Sequence, residues 1–267
     1  MHPILFEIPL PDFLHGLLGE SFTVYSYGFF IVLGAVSGVT YLSAKTKKEF
    51  DLSFDKVNSL FLILLISAFI GGKVFLFFEN PSYYSDLTKL LSGRGFVFYG
   101  SLLFCIPAML LFFRYHQLPV LPMLDIMAIV TCIVHAFGRI GCFMAGCCHG
   151  IEWHGPLAVT FTNEACMAPL HTPLHPTQLY SVFMILSILL VLLLVQRRQQ
   201  FAGQIFLRYL MLYAIGRSVI EVFRGDLSRG YVIEDLVSHS QFISLIVFLG
   251  TLYFYIRIKK RSSGKKK

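Results

Sequence analysis

The 267-residue chain is 56% hydrophobic and 14% charged, with a formal net charge of +7 and a mean hydropathy of +0.70. Soluble domains carry about 45 to 50% apolar and about 25% charged residues, so this composition excludes an ordinary soluble fold. The runs LFLILLISAFI and MILSILLVLLLV are apolar on every side, which excludes the strict alternation of a membrane β-barrel.

The first twenty residues hold Glu7, Asp12 and Glu20 but no Lys or Arg, so the basic start of a cleavable signal peptide is missing and the segment is expected along the membrane interface. A spanning helix needs about 20 apolar residues. Windows of that length predict seven transmembrane helices near 22-43, 58-78, 96-115, 121-147, 178-196, 204-223 and 238-257. The expectation is an all-α integral membrane protein with a single membrane-embedded domain over 1-257 and a basic cytoplasmic tail over 258-267. No repeat, low-complexity tract or long linker interrupts it.

Loops rich in Lys and Arg stay in the cytoplasm. Lys45, Lys47, Lys48 and Lys56 follow the first span, Arg114 the third, Arg197 and Arg198 the fifth, and a run from Arg257 to the terminal lysines the seventh. The opposite loops carry Lys89, Arg94, Arg224 and Arg229. This predicts an external N-terminus and a cytoplasmic C-terminus. The net charge reads as a topology signal and an attraction to anionic lipid, and nucleic-acid binding is not expected.

With that orientation the polar residues gather in the outer leaflet. Tyr25 and Tyr27 open the first span, Lys73 lies in the outer half of the second, and Tyr99 and Gly100 begin the third. The fourth runs outward through His135, Arg139, Cys142 and Cys147 to His149 and Gly150. His175, Thr177, Gln178 and Tyr180 start the fifth, and Tyr213, Arg217 and Glu221 occupy the sixth. Residues three, four, seven and eight apart share a helix face. His135, Arg139, Cys142 and Gly146 therefore form one stripe, and Tyr213, Arg217, Glu221 and Arg224 another. Charges at membrane depth face a partner or a wet cavity, so a polar cavity between the fourth and sixth helices is expected, with an anionic lipid phosphate as its ligand. The structural alternative is an Arg217 to Glu221 pair that knits helices together.

Lys73 admits either a site role or snorkelling toward a headgroup. Arg208, at the inner end of its helix, reads as snorkelling, and Trp153 and the tyrosines of PSYYSD as interfacial anchors. Cys105 and Cys132 read as packing residues. Cys142, Cys147, Cys148 and His149 lack the C-x2-C spacing of structural zinc sites, so no metal and no cofactor is expected. A bridge from Cys147 or Cys148 to Cys166 is an alternative in an oxidising outer compartment. Gly138, Gly141, Ala145 and Gly146 thin one side of the fourth helix, for close helix approach or for a lipid.

The run GRIGCFMAGCCHG at 138-150 resembles the signature of the prolipoprotein diacylglyceryl transferases, bacterial inner-membrane enzymes that lipidate exported lipoproteins. YGFFIVLG at 27-34, IGGK at 70-73, FYGSL at 98-102, LHPTQLY at 174-180 and YAIGRSVIEVFRGD at 213-226 resemble other family blocks in the same order. The resemblance implies roles in activity or in holding phosphatidylglycerol for Tyr27, Arg139, Gly150, Tyr213, Arg217 and Glu221, and matches His175, Pro176 and Gln178 to an HPxQ block. The chain departs from the family pattern at several positions. Tyr99 stands where the family has a histidine, Ser101 replaces a glycine, and Lys73 stands for an arginine. Cys142 and Ala145 replace asparagines, and Cys147 replaces a glutamate.

The implied reaction transfers the diacylglyceryl group of phosphatidylglycerol to the thiol of a lipobox cysteine in a prolipoprotein signal peptide. Arg139 and Arg217, as bidentate donors, suit the departing phosphate. With no histidine at position 99, Glu221, Tyr99 and His175 remain as candidate bases. A diverged member acting on another acceptor, or a non-catalytic lipid-binding protein, are the alternatives.

Overall fold

The computed structural model describes residues 1–11, 21–80, 97–225, 231–233 and 237–264. The tyrosines of PSYYSD, Asp12, Glu20, Lys89, Arg94, Asp226, Arg229 and the last three lysines lie outside them. In chain order the elements are β1 (Ile4–Pro9), β2 (Ser21–Tyr25), α1 (Ser26–Phe50), α2 (Phe54–Glu79), α3 (Phe98–Tyr115) and α4 (Val120–Ala145), then β3 (Val159–Thr160) and β4 (Pro173–Leu174). They continue with α5 (Thr177–Gln196), α6 (Gln204–Glu221), β5 (Tyr231–Ile233), β6 (Val237–Ser238) and α7 (His239–Gly264).

Six of these helices, all but α6, are long and apolar enough to cross a membrane. The 18 residues of α6 rise about 27 Å, but Gln204, Arg208, Arg217 and Glu221 lower its mean hydropathy.

Two boundaries differ from expectation for local reasons. The first helix begins at Ser26 because residues 21–25 form a strand antiparallel to β1, with Glu7 opposite Thr23. The Ser26 amide donates to Pro3 O at 2.8 Å and its hydroxyl donates to His2 O, which anchors the helix start. The fourth helix ends at Ala145, since Gly146 adopts φ +77°, a left-handed conformation that glycine takes without steric cost and that stops a helix. The segments expected as spans are helical, and the described residues add three two-stranded ribbons, one ahead of α1 and two in later connections.

The chain divides into two compact units. In the first, Met1–Gly38 with Asp125–Lys267, α1 lies close on α4. A Cβ at Gly34 would stand 2.9 Å from Phe137 Cβ, and one at Gly38 2.8 Å from Val134 Cγ2, the close approach that small residues four apart permit. The start of α6 is tied down by a buried carboxylate from α4. Asp125 accepts from Gly203 N at 2.6 Å, Phe206 N at 2.8 Å and Gln199 Nε2 at 2.6 Å, satisfying amides that a helix N-terminus leaves unpaired.

In the second unit, Val39–Leu124, α2 and α3 meet at Gly71 and Gly100. A Cβ on either residue would run into the other's carbonyl oxygen. Beside that contact Ser101 Oγ donates to Ala68 O at 2.8 Å and Cys105 Sγ donates to Leu64 O at 3.3 Å, so both side chains bridge helices at apolar depth.

Candidate active site

The polar stripe on α4 meets the polar stripe on α6. Arg139 donates from Nε to His135 Nε2 at 3.2 Å, one turn back on the same helix. The His135 ring lies 5.6 Å from that of Tyr213 on α6, and Tyr213 stacks on Tyr209 at 5.7 Å. Arg217 lies one turn beyond Tyr213 on the same helix, and its charge as well as that of Arg139 is felt at His135.

Arg217 is nevertheless directed toward α7 as well. It forms an ion pair with Glu221 one turn along α6, and its Nη2 donates to Ser240 Oγ at 3.1 Å. Glu221 Oε1 accepts from Ser238 Oγ at 3.2 Å. The Arg217 and Glu221 side chains are 13% and 8% exposed. Paired charges are the form in which burial is tolerated. The pair considered from sequence is present, and it joins the C-terminal end of α6 to β6 and the start of α7. Of the two arginines, Arg139 has no carboxylate partner among the described residues.

The signature segment leaves the helix after Ala145, so Cys142 stays on the helical stripe with His135 and Arg139 while Gly146, expected on it, does not. Beyond Gly146 the chain turns through Cys148, whose φ is +60°. The turn is fixed by the first residues of α5: Gln178 Nε2 donates to Cys147 O at 2.8 Å and Thr177 Oγ1 to Cys148 O at 2.7 Å. Both side chains are buried. Gln178, matched to the HPxQ block by the resemblance, uses its amide to hold the cysteine turn. The turn brings the sulfurs of Cys142, Cys147 and Cys148 within 4.8 Å of one another. All six cysteines are free, so no bridge to Cys166 is formed. Cys147 Sγ donates to Cys142 O at 3.7 Å. Tyr27, at the start of α1, interacts electrostatically with these three cysteines and with Arg139, and its backbone packs against Gly141.

Gly150 and His175 form the wall beside this turn. Gly150 N donates to His175 O at 2.9 Å and His175 N to Ile151 O at 3.0 Å, while Gly150 pairs with Arg224 in a β-bridge. A Cβ at Gly150 would lie 2.5 Å from both His175 Cβ and Phe223 O, so only glycine lets the three segments meet. His175 is buried and stacked on Trp153, 4.3 Å between centroids at 5°, with its Nδ1 3.0 Å from Tyr180 Oη. Burial lowers its pKa from the usual 6.5. Trp153, expected as an interfacial anchor, is the lid of this stack.

Lys73 and Tyr99 belong to the second unit. Lys73 is 4% exposed with its ammonium 5.8 Å from the Phe69 ring centroid; Tyr99 is 52% exposed and packs edge-on against Phe98. Arg208, expected to snorkel, donates to Tyr255 Oη at 3.0 Å. Sequence reading did not select His135 as a site residue or Thr177 as a support. The four-residue spacing of His135 and Arg139 was the available signal for the first, whereas nothing local marked the second.

Residues 17–257 match the family model for prolipoprotein diacylglyceryl transferase. The chain is 34% identical to phosphatidylglycerol–prolipoprotein diacylglyceryl transferase of Clostridium tetani, covering 98% of this chain and 100% of that one. It is 32% identical to a second enzyme of that name from Clostridium perfringens, covering 90% and 93%. To that of Dehalococcoides mccartyi it is 28% identical, covering 92% and 94%. Matched along nearly its whole length, the chain belongs to the prolipoprotein diacylglyceryl transferase family.

Proposed function

We propose that this protein transfers the diacylglyceryl group of phosphatidylglycerol to the lipobox cysteine of prolipoproteins, forming a thioether and releasing glycerol 1-phosphate. Family membership supports the reaction. The observation that carries the site assignment is Arg139 bonded to His135, whose ring lies against Tyr213 on the helix that also bears Arg217. As the glyceryl carbon–oxygen bond breaks, negative charge grows on the phosphate. Guanidinium groups fixed in a low-dielectric site stabilise that charge without reorganising.

In this reading Arg139, which no carboxylate engages among the described residues, is the principal phosphate ligand. Arg217 contributes through a guanidinium shared with Glu221, and Tyr27 and Tyr213 line the same region. Gly150, His175 and Gln178 complete the lipid site of the first unit, the last two by shaping its wall, and Lys73 keeps the lipid-binding role that the family resemblance implies. The incoming thiol, with an ordinary pKa near 8.5, needs modest assistance in losing its proton. Glu221 is tied to Arg217. Tyr99 occupies the family's histidine position and is the exposed candidate.

The same reading makes the chain a seven-span protein of the bacterial inner membrane, with α6 as the seventh span, an external N-terminus and a cytoplasmic basic tail. Purified protein incubated with phosphatidylglycerol and a lipobox peptide should yield the diacylglyceryl adduct by mass spectrometry. Lipid binding without product would instead favour a non-catalytic lipid-binding role.

A further inference from the structure

The three-sulfur cluster at the end of α4 has no counterpart in the phosphate chemistry, and its geometry is that of a ligand set. We propose that Cys142, Cys147 and Cys148 form a binding site for one thiophilic d10 cation, Zn²⁺ or Cu⁺. Their sulfurs lie within 4.8 Å of one another. Thiolates on one zinc ion, with bonds near 2.3 Å, stand about 3.8 Å apart in a tetrahedron, so small rotamer changes complete the site. The spacing C-x4-C-C is unlike that of zinc fingers because the helix stop at Gly146, not a hairpin, folds the second and third ligands back toward the first.

Two further features suit a metal. The ligand-bearing turn is preorganised, since Gln178 and Thr177 hold the carbonyls of Cys147 and Cys148 from buried positions; supports of this kind orient metal ligands. Binding also releases three protons and leaves a tris-thiolate of net negative charge around either ion, and Arg139 and Arg224 interact electrostatically with the cluster. Soft sulfur donors select zinc and cuprous ions over magnesium or calcium. His149 is engaged with the Gly150 carbonyl through Nδ1 at 3.0 Å. With three protein ligands, Cu⁺ is satisfied as a trigonal centre, whereas Zn²⁺ keeps a fourth position for water or an incoming thiol.

The test uses full-length protein in detergent and is independent of transferase activity. Metal-free protein is titrated with Zn²⁺ alone, and in a second arm with Cu⁺ presented from a competing chelator. Co²⁺ serves as a spectroscopic stand-in for zinc. One equivalent of Zn²⁺ or Cu⁺ should bind per chain, and Co²⁺ should show near-ultraviolet thiolate charge-transfer bands. Each of Cys142→Ser, Cys147→Ser and Cys148→Ser should weaken binding at least tenfold, on the order of what loss of a mere supporting residue costs, while Cys105→Ser and Cys166→Ser bind as before. Should a variant not fold, protection of the three thiols from alkylation by added metal in the unmodified protein replaces it. Absence of stoichiometric binding in both arms, or undiminished binding in folded variants of the three cysteines, overturns the proposal.

Discussion

The Nε of Arg139 donates to Nε2 of His135 at 3.2 Å, which fixes the His135 tautomer as the one protonated on Nδ1 and orients the guanidinium along α4. Since His135 also packs against Tyr213, this hydrogen bond aligns a guanidinium on α4 with the polar face of α6. The Arg139→Gln variant should insert normally and lose about 10- to 100-fold in turnover, because a neutral amide forgoes a charge-assisted contact worth about 1.5 to 3 kcal/mol. Arg139→Lys should recover only part of this, as it keeps the charge but not the planar fork. The control is Arg198→Gln, at an exposed position, in preference to Arg208, which is bonded to Tyr255. Steady-state kinetics in mixed micelles reads all three. Full activity in Arg139→Gln would remove it from the phosphate site.

Arg217 should behave differently, because it is also half of a buried ion pair. Either Arg217→Met or Glu221→Gln strands a charge and should cost about 3 to 5 kcal/mol. The double variant should recover much of that stability while remaining inactive. A double-mutant cycle by thermal or denaturant unfolding in detergent measures the coupling, and additive losses would contradict the pairing.

Close helix approach makes a third expectation. Ala at Gly34 or Gly38 would press on Phe137 or Val134 at 2.9 and 2.8 Å, so each should destabilise by about 1 to 3 kcal/mol. Ala at Gly28, where a Cβ meets nothing within 4 Å, should not. Differential melting temperatures decide between local strain and a general intolerance of α1.

His175 gives a pH dependence. Burial lowers its pKa below 6.5, so above about pH 6.5 both folded and unfolded forms are neutral and the residue imposes no penalty. As pH falls through the unfolded value the unfolded chain takes up the proton first, and stability declines until the folded pKa is reached. Melting temperature should therefore fall between about pH 7 and about pH 5, with a shallower slope in His175→Gln. An unchanged slope would mean that other groups set the acid sensitivity.

Orientation is testable with reporter fusions. Those at Lys47 and Arg198 should read cytoplasmic and one at Trp153 external, and the reverse pattern would invert the topology.

Membrane class and most helix positions were legible in the sequence because apolar length is a local property that the bilayer itself demands. The stripe of His135 and Arg139, and that of Tyr213, Arg217 and Glu221, were legible for a similar reason: helical period alone places those residues on one face. The sequence motifs also carried the family resemblance. Tertiary structure decided what those faces meet. Whether Arg217 is free or paired depends on the rotamers of one turn and on Ser238 and Ser240, which arrive with α7. Whether Gln178 touches lipid or backbone depends on where α5 starts relative to the turn at Cys147. The cysteines depend on the fold in the same way. Their spacing left a bridge to Cys166 open and lacks the C-x2-C pattern of a zinc site, and only the left-handed Gly146 and the supports from α5 bring three sulfurs to one point, since convergence of side chains is a non-local property that no window of sequence contains.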